Sequence, residues 1–135
     1  MQTVGAILRW VGAVLTAALI FLIVLAVGAL MWRRFGGDVV TAVHGQHFLA
    51  AFLAVAAGTF VVQREQRGTA ALVLSILIWA GPLWFVVHDL LVRHYSSVDF
   101  EALEGVVIGT FTPLILARQG IFSGRLVNRA TARRE

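Results

Sequence analysis

Four long apolar stretches, separated by short polar connections, form the pattern of the chain. A helix that crosses a bilayer needs about 20 mostly apolar residues, and each stretch is close to that length. The connection at 33–38 contains a Gly-Gly pair, and the connection at 63–68 has the sequence QREQRG, so both favour turns. The pattern therefore predicts a bundle of four transmembrane helices, with spans at about residues 7–31, 39–62, 69–92 and 100–117.

The fourth stretch is the shortest, because its uncharged core runs only from Gly105 to Ala117 and contains Pro113. It crosses the membrane if Glu101 and Glu104, in its first turns, lie at the membrane rim, where the helix dipole favours acidic side chains. A re-entrant segment is the competing interpretation. We expect the spanning helix.

The composition supports a membrane protein. Of the 135 residues, 59% are hydrophobic and 13% are charged, and the mean hydropathy is +0.87, which is far more apolar than an ordinary soluble domain. We expect one all-α transmembrane domain over residues 1–117 and a basic cytoplasmic tail over residues 118–135, with no soluble catalytic domain. The chain has no cysteine, which excludes disulfides, thiolate metal sites and cysteine nucleophiles.

All eleven basic residues are arginine, and they divide unevenly between the two sides of the predicted bundle. The side with the N-terminus, the 63–68 connection and the tail holds eight: Arg9, Arg64, Arg67, Arg118, Arg125, Arg129, Arg133 and Arg134. The other side holds only Arg33, Arg34 and Arg93. By the positive-inside rule the first side is cytoplasmic, so we expect an N-in/C-in protein of a bacterial inner membrane.

The four histidines all fall on the predicted outer side: His44 and His47 near the start of the second helix, His88 and His94 near the end of the third. With a rise of about 1.5 Å per residue, His44 and His88 lie at similar depths in their helices. Ionisable side chains inside a span are costly and mark functional candidates. The alternative is structural: the imidazoles are rim residues whose polar atoms are satisfied by neighbouring helices.

Two cofactor hypotheses follow from these histidines. In the first, His47 and His88 are the axial ligands of a b-type haem, and the protein transfers electrons to or from a quinone. In the second, a zinc, copper or non-haem iron ion is bound by His44, His47, His88 and Asp89, or by Glu104 in place of Asp89. The HxxH spacing places two imidazoles on one helix face, but the chain has no HExxH or ExxH motif.

A third hypothesis is a small membrane enzyme at the outer face, in which His88 and Glu104 act as base and acid on a lipid-linked substrate. No nucleophile motif supports it. Because the chain also lacks a strong catalytic motif of any other kind, we favour an accessory or structural subunit that packs against larger membrane-protein partners in the lipid bilayer, and we lean against an enzyme. We expect no nucleic-acid partner, since the arginines are those that the topology requires.

Small residues at regular spacing predict close packing of the helices. Gly105 and Gly109 form a GxxxG pair on the fourth helix, and Ala50, Ala54 and Gly58 form a row on the second. Such residues let helix backbones approach closely in a membrane, which favours a compact bundle. The GxxxG pair also makes self-association through Gly105 and Gly109 possible.

The stretch HFLAAFLAVAAGTF, at residues 47–60, resembles the second helix of VanZ-like membrane proteins. Those proteins also have four spans and polar residues on the outer side, so the resemblance implies the same four-span fold. Their acidic residue in the third helix has no counterpart in WFVVHDLLVRH, and their Asp and Asn pattern in the fourth has none in EALEGVVIG. We therefore do not assign the chain to that family.

Overall fold

The computed structural model describes residues 2–92 and 97–119, in which four long helices and no strand are present. Each helix is long and apolar enough to cross a membrane, which confirms the predicted all-α, four-helix fold. A short 3-10 turn, Arg64–Gln66, precedes the third helix. Most of the predicted tail lies outside the described residues, as do Arg93 and His94. The helices are α1 (Gln2–Phe35), α2 (Val39–Val61), α3 (Arg67–Leu91) and α4 (Ser97–Arg118).

The helix ends differ from the predicted spans mainly in α1, which extends beyond both predicted limits. Arg33 and Arg34 continue the helix, because arginine is a good helix former and a cation in the last turn interacts favourably with the helix dipole. Gly36 and Gly37 then follow the end of α1 with φ angles of 71° and 131°, a backbone region that favours glycine. The two arginines limit the predicted span but do not end the helix.

α4 is one continuous helix of 22 residues that passes through Pro113. At 1.5 Å per residue it is about 33 Å long, which matches a hydrocarbon core of about 30 Å. Its continuity favours the spanning interpretation over a re-entrant segment.

α2 lies at the centre of the bundle and packs against all three other helices, while α4 packs mainly against α2 and α3. α1 and α2 run antiparallel, since Gly12 lies against Val61 and Gly28 lies against Gln46. In a bilayer, small residues stabilise a bundle because they let helices pack closely. The main buried cluster accordingly consists of Ala17, Ala54, Val55, Ala71 and Leu74.

The glycine pair of α4 makes a close backbone contact with α2. A Cβ atom at Gly105 would overlap the carbonyl oxygen of His44, and a Cβ atom at Gly109 would overlap that of Phe48. The two contacts advance along both helices in the same direction, so α2 and α4 are parallel. The predicted close approach through these glycines is confirmed. Self-association through the pair stays a prediction, and it would have to displace α2 from this face.

A polar link inside the bundle joins α3 to α4. The indole nitrogen of Trp79 donates a hydrogen bond to the hydroxyl of Thr110 at 2.9 Å, and that hydroxyl donates in turn to the carbonyl of Val107 at 2.9 Å. Thr110 is fully buried. The link satisfies polar groups that would be costly to leave unpaired in an apolar interior.

α1 is the least covered of the four helices. Only 6% of its most apolar segment is buried in the bundle, whereas 22%, 28% and 33% of the corresponding segments of α2, α3 and α4 are buried. It packs along α2 and makes few contacts with α3. A long apolar surface of α1 therefore remains open.

Asp38 caps the N-terminus of α2. Its carboxylate accepts hydrogen bonds from the backbone N–H and from the hydroxyl of Thr41, each at 2.8 Å. Both hydrogen bonds favour the charged carboxylate, and the bond from the backbone has the larger effect. They hold the pKa of Asp38 below its ordinary value of 3.8. The cap therefore contributes stability at pH values above the ordinary pKa, and this contribution is lost as the pH falls through the lowered pKa of the folded protein.

The variant Asp38→Ala should lower the Tm of the detergent-purified protein at neutral pH, because it removes the cap from α2. Its difference from the wild type should shrink in strongly acidic buffer, where the wild-type carboxyl is also protonated. Asp38→Asn is the matched control, since asparagine caps a helix about as well but does not titrate. A Tm difference for Asp38→Ala that is equal at both pH values would contradict this account.

Candidate functional site

Three ionisable side chains come together at the end of the bundle where α2 and α4 begin. His44 lies in the second turn of α2, and Glu101 and Glu104 lie in the first two turns of α4. The Nδ1 atom of His44 is 3.0 Å from Oε2 of Glu101. One potential ligand atom from each of the three side chains lies within 4.8 Å of the others, a spacing that no other group of three His or carboxylate side chains reaches among the described residues. We call this group the His44 cluster.

The glycine contact between α2 and α4 determines which side chains meet in the His44 cluster. Residues four apart lie on the same helix face, so Glu101 lies one turn before Gly105 on the face of α4 that touches α2. Because Gly105 lies against the His44 carbonyl, the carboxylate of Glu101 reaches the imidazole of His44. Glu104, three residues after Glu101, flanks the same contact.

The His44 cluster is partly exposed. The side chains of His44 and Glu101 are 32% and 31% exposed, and Glu104 is exposed. The His44–Glu101 contact is a hydrogen bond, and it becomes an ion pair only when His44 is protonated. Glu104 forms no hydrogen bond or ion pair with any residue that the structure describes. Its carboxylate is therefore available to a ligand.

His47 contacts α1 and is not part of the His44 cluster. Its ring is edge-on to the ring of Phe21, with 6.2 Å between the ring centroids. Its Nδ1 atom is 2.8 Å from the carbonyl oxygen of Val43, so Nδ1 donates, and in a neutral imidazole the other ring nitrogen, Nε2, is then the acceptor. This tautomer is the one that a ligand histidine commonly has, but α1 lies on this side of His47.

His88 lies near the end of α3, with a side chain that is 56% exposed and 3.8 Å from the carboxylate of its neighbour Asp89. Glu104 forms no ion pair with His88 within 4 Å in the described residues and belongs to the His44 cluster. Of the metal set predicted from the sequence, His44 and the alternative acid Glu104 lie in the cluster, whereas His47, His88 and Asp89 do not; metal binding by the predicted set stays a prediction. The haem pair of His47 and His88, and the acid–base pair of His88 and Glu104, stay predictions.

Glu101 is the member of the His44 cluster that the sequence-based ligand sets did not include. Its spacing carries the signal that could have found it: Glu101, Gly105 and Gly109 recur every four residues, so an acid continues the face that the glycines present to α2. The rotation of α2 that turns His44 toward this face is not encoded in such a local pattern.

An apolar groove lies between α1 and α3, on the side of the bundle that α1 leaves open. Its volume is about 300 Å³. Ala18 and Phe21 are on its α1 wall, and Ile78, Gly81 and Pro82 are on its α3 wall. We call it the α1–α3 groove. Its walls are almost entirely apolar, so it suits a hydrocarbon or another apolar helix.

Comparisons of the chain with protein-family models, with curated proteins and with solved structures find no match. The functional proposal therefore depends on the residues and their geometry.

Proposed function

We propose that the protein is an accessory or structural subunit of a bacterial inner membrane, with both termini in the cytoplasm, that packs against a larger membrane protein through the α1–α3 groove. The observation that carries the proposal is Gly81. It lines the groove, yet a Cβ atom at this position would meet nothing within 4 Å. Glycine inside a helix costs about 0.5–1 kcal/mol relative to alanine. No residue outside its own helix requires glycine at this position, and the close approach of a helix from another protein would use the space that it leaves.

Shape, rather than apolarity, favours a protein helix over lipid as the occupant of the groove. Lipid tails are as apolar as leucine, so an exposed apolar surface does not by itself indicate a partner in a membrane. Small residues do favour one, because they let two backbones approach and gain van der Waals contact. Ala18 and Gly81 place small residues on both walls of the groove, which is the surface that a partner helix requires.

The proposed orientation is supported by the distribution of arginine. Arg9, Arg64 and Arg67 lie at the end of the bundle that holds the α2–α3 connection. Arg33 and Arg34 lie at the opposite end. With the arginines of residues 118–135 added to the first end, the count is eight against three, and the richer end is cytoplasmic by the positive-inside rule.

Site-specific photo-crosslinking in native membranes tests the proposed partner. A photoreactive amino acid at position 18 should form an adduct with one protein larger than this 14.7 kDa chain. That protein should also copurify with the unmodified chain at a constant ratio in mild detergent. Gly81→Leu should abolish both the adduct and the copurification, because its side chain fills the groove.

The matched control is Ala80→Leu, which adds a similar side chain at the exposed neighbouring position outside the groove. It should leave the adduct and the copurification unchanged, and both purified variants should unfold at the wild-type temperature. An adduct with twice the mass of the chain would indicate a second copy, and lipid adducts alone would indicate no protein in the groove. Either result contradicts the proposal, as does an adduct that survives Gly81→Leu.

A further inference from the structure

We propose that His44, Glu101 and Glu104 bind one divalent transition-metal cation, best represented by zinc, at the end of the bundle where α2 and α4 begin. The site lies between α2 and α4, so it is independent of the partner proposed for the α1–α3 groove. In the orientation proposed above it is on the outer side of the membrane.

The distances between the potential ligands suit a small cation. Zinc binds imidazole nitrogen at about 2.0–2.1 Å and carboxylate oxygen at about 2.0–2.2 Å, so that ligands in a tetrahedral site lie about 3.4 Å apart. In the His44 cluster, His44 and Glu101 are 3.0 Å apart and all three ligand atoms lie within 4.8 Å of one another. To bind one ion, side-chain rotations of Glu101 and Glu104 would have to shorten this spacing from at most 4.8 Å to about 3.4 Å.

The backbone contact between α2 and α4 holds the ligands in place before an ion binds. Gly105 and Gly109 lie directly against the α2 backbone, and these contacts fix the separation and the register of the two helices. A site whose ligands stand on rigid, closely packed helices is more precise than one on loops. This contact does not depend on the charges in the cluster. It brings the imidazole of α2 and the two carboxylates of α4 close together.

The charge of the His44 cluster favours a cation. Two carboxylates one helical turn apart repel each other, and the cluster contains no arginine among the described residues. In the described residues neither Glu101 nor Glu104 forms an ion pair with an arginine. A metal ligand must be an ionised carboxylate, and a divalent cation would compensate the charge of both acids.

The donor types select among divalent cations. Mg²⁺ and Ca²⁺ prefer sites made only of oxygen ligands, whereas imidazole suits zinc, copper, iron and nickel. One nitrogen and two oxygens from the protein leave a fourth tetrahedral position open to water or to a further ligand. Zinc is accordingly the probe of choice, with Mg²⁺ as the comparison.

Zinc titration of the full chain tests the site. The protein is purified in detergent through a tag that contains no histidine, treated with a chelator, and titrated with Zn²⁺ by calorimetry. We expect one saturable site per chain, weaker binding of Mg²⁺, and a zinc-dependent rise in Tm, because a ligand that binds only the folded state stabilises it. His44→Ala and Glu104→Gln should each lower the zinc affinity by about tenfold or more, as the loss of metal-site residues does.

Glu104→Gln is the decisive variant. Because Glu104 has no partner among the described residues and repels Glu101, this change should not lower the Tm of the metal-free protein, and it should remove the zinc-dependent rise in Tm. His47→Ala is the matched control and should bind zinc like the wild type. The proposal is overturned if no saturable site is found, if Glu104→Gln binds zinc as tightly as the wild type, or if His47→Ala loses the site.

Discussion

Gly105→Ala should destabilise the protein by about 3 kcal/mol or more, at the upper end of the effect of overpacking a well-packed interior. The added Cβ atom would overlap the carbonyl oxygen of His44 and lie 3.1 Å from the backbone nitrogen of Phe48. Both atoms belong to the α2 backbone, which cannot yield as a flexible side chain can. α2 and α4 must therefore separate. The loss is measured as a lower transition in SDS-induced unfolding, followed by circular dichroism and tryptophan fluorescence.

Gly45→Ala is the matched control for this prediction. Gly45 lies next to His44 in α2, but a Cβ atom at Gly45 would meet nothing within 4 Å. Since alanine is favoured over glycine in a helix by about 0.5–1 kcal/mol, this variant should be as stable as the wild type or slightly more stable. The same chemical change should therefore be strongly destabilising inside the α2–α4 contact and neutral or slightly stabilising beside it. Equal losses in the two variants would show that the α2–α4 contact is not responsible.

The features that the sequence predicted are those that depend on local pattern. Four apolar stretches of sufficient length predict four helices, since every backbone polar group must be satisfied within the membrane. The GxxxG spacing of Gly105 and Gly109 predicts a close contact because glycine is the residue that permits one. These inferences need no knowledge of which helix is the neighbour.

The arrangement of the histidines could not be predicted in the same way. Apolar residues occur on nearly every face of α2 and α4, so the sequence does not indicate which face points inward. The structure turns His44 toward α4 and His47 toward α1, although the two residues are only three positions apart. A rotation of α2 decides which acids His44 meets, and packing against three helices at once determines that rotation.

The end of α1 shows a second limit of sequence reasoning. Arg33 and Arg34 mark the end of the predicted span, but the helix continues to Phe35. Hydropathy indicates whether a segment suits an apolar or an aqueous environment, but it does not indicate where a helix ends. The helix ends where Gly36 and Gly37 adopt positive φ angles. The glycines, rather than the charges, are the better signal for the end of a helix.

Leu74→Ala should lower the free energy of unfolding by about 2 kcal/mol, near the low end of the range for replacing a buried leucine with alanine. Leu74 is 1% exposed and belongs to the cluster that joins α1, α2 and α3. In a soluble protein the loss would include the transfer of the side chain from water. In a membrane the separated helices expose their side chains to lipid, which is as apolar as leucine, so the loss comes mainly from the cavity and its missing van der Waals contacts.

Leu72→Ala isolates that packing contribution. Leu72 lies on the same helix, two residues away, but it is 50% exposed, and the substitution changes the intrinsic helix propensity by the same amount at both positions. The Leu72 variant should therefore unfold within about 0.5 kcal/mol of the wild type, as surface substitutions usually do. SDS-induced unfolding of the two variants beside the wild type measures the difference. If Leu72→Ala were as destabilising as Leu74→Ala, contacts outside the described bundle, and not the α1–α2–α3 crossing, would hold α3 in place.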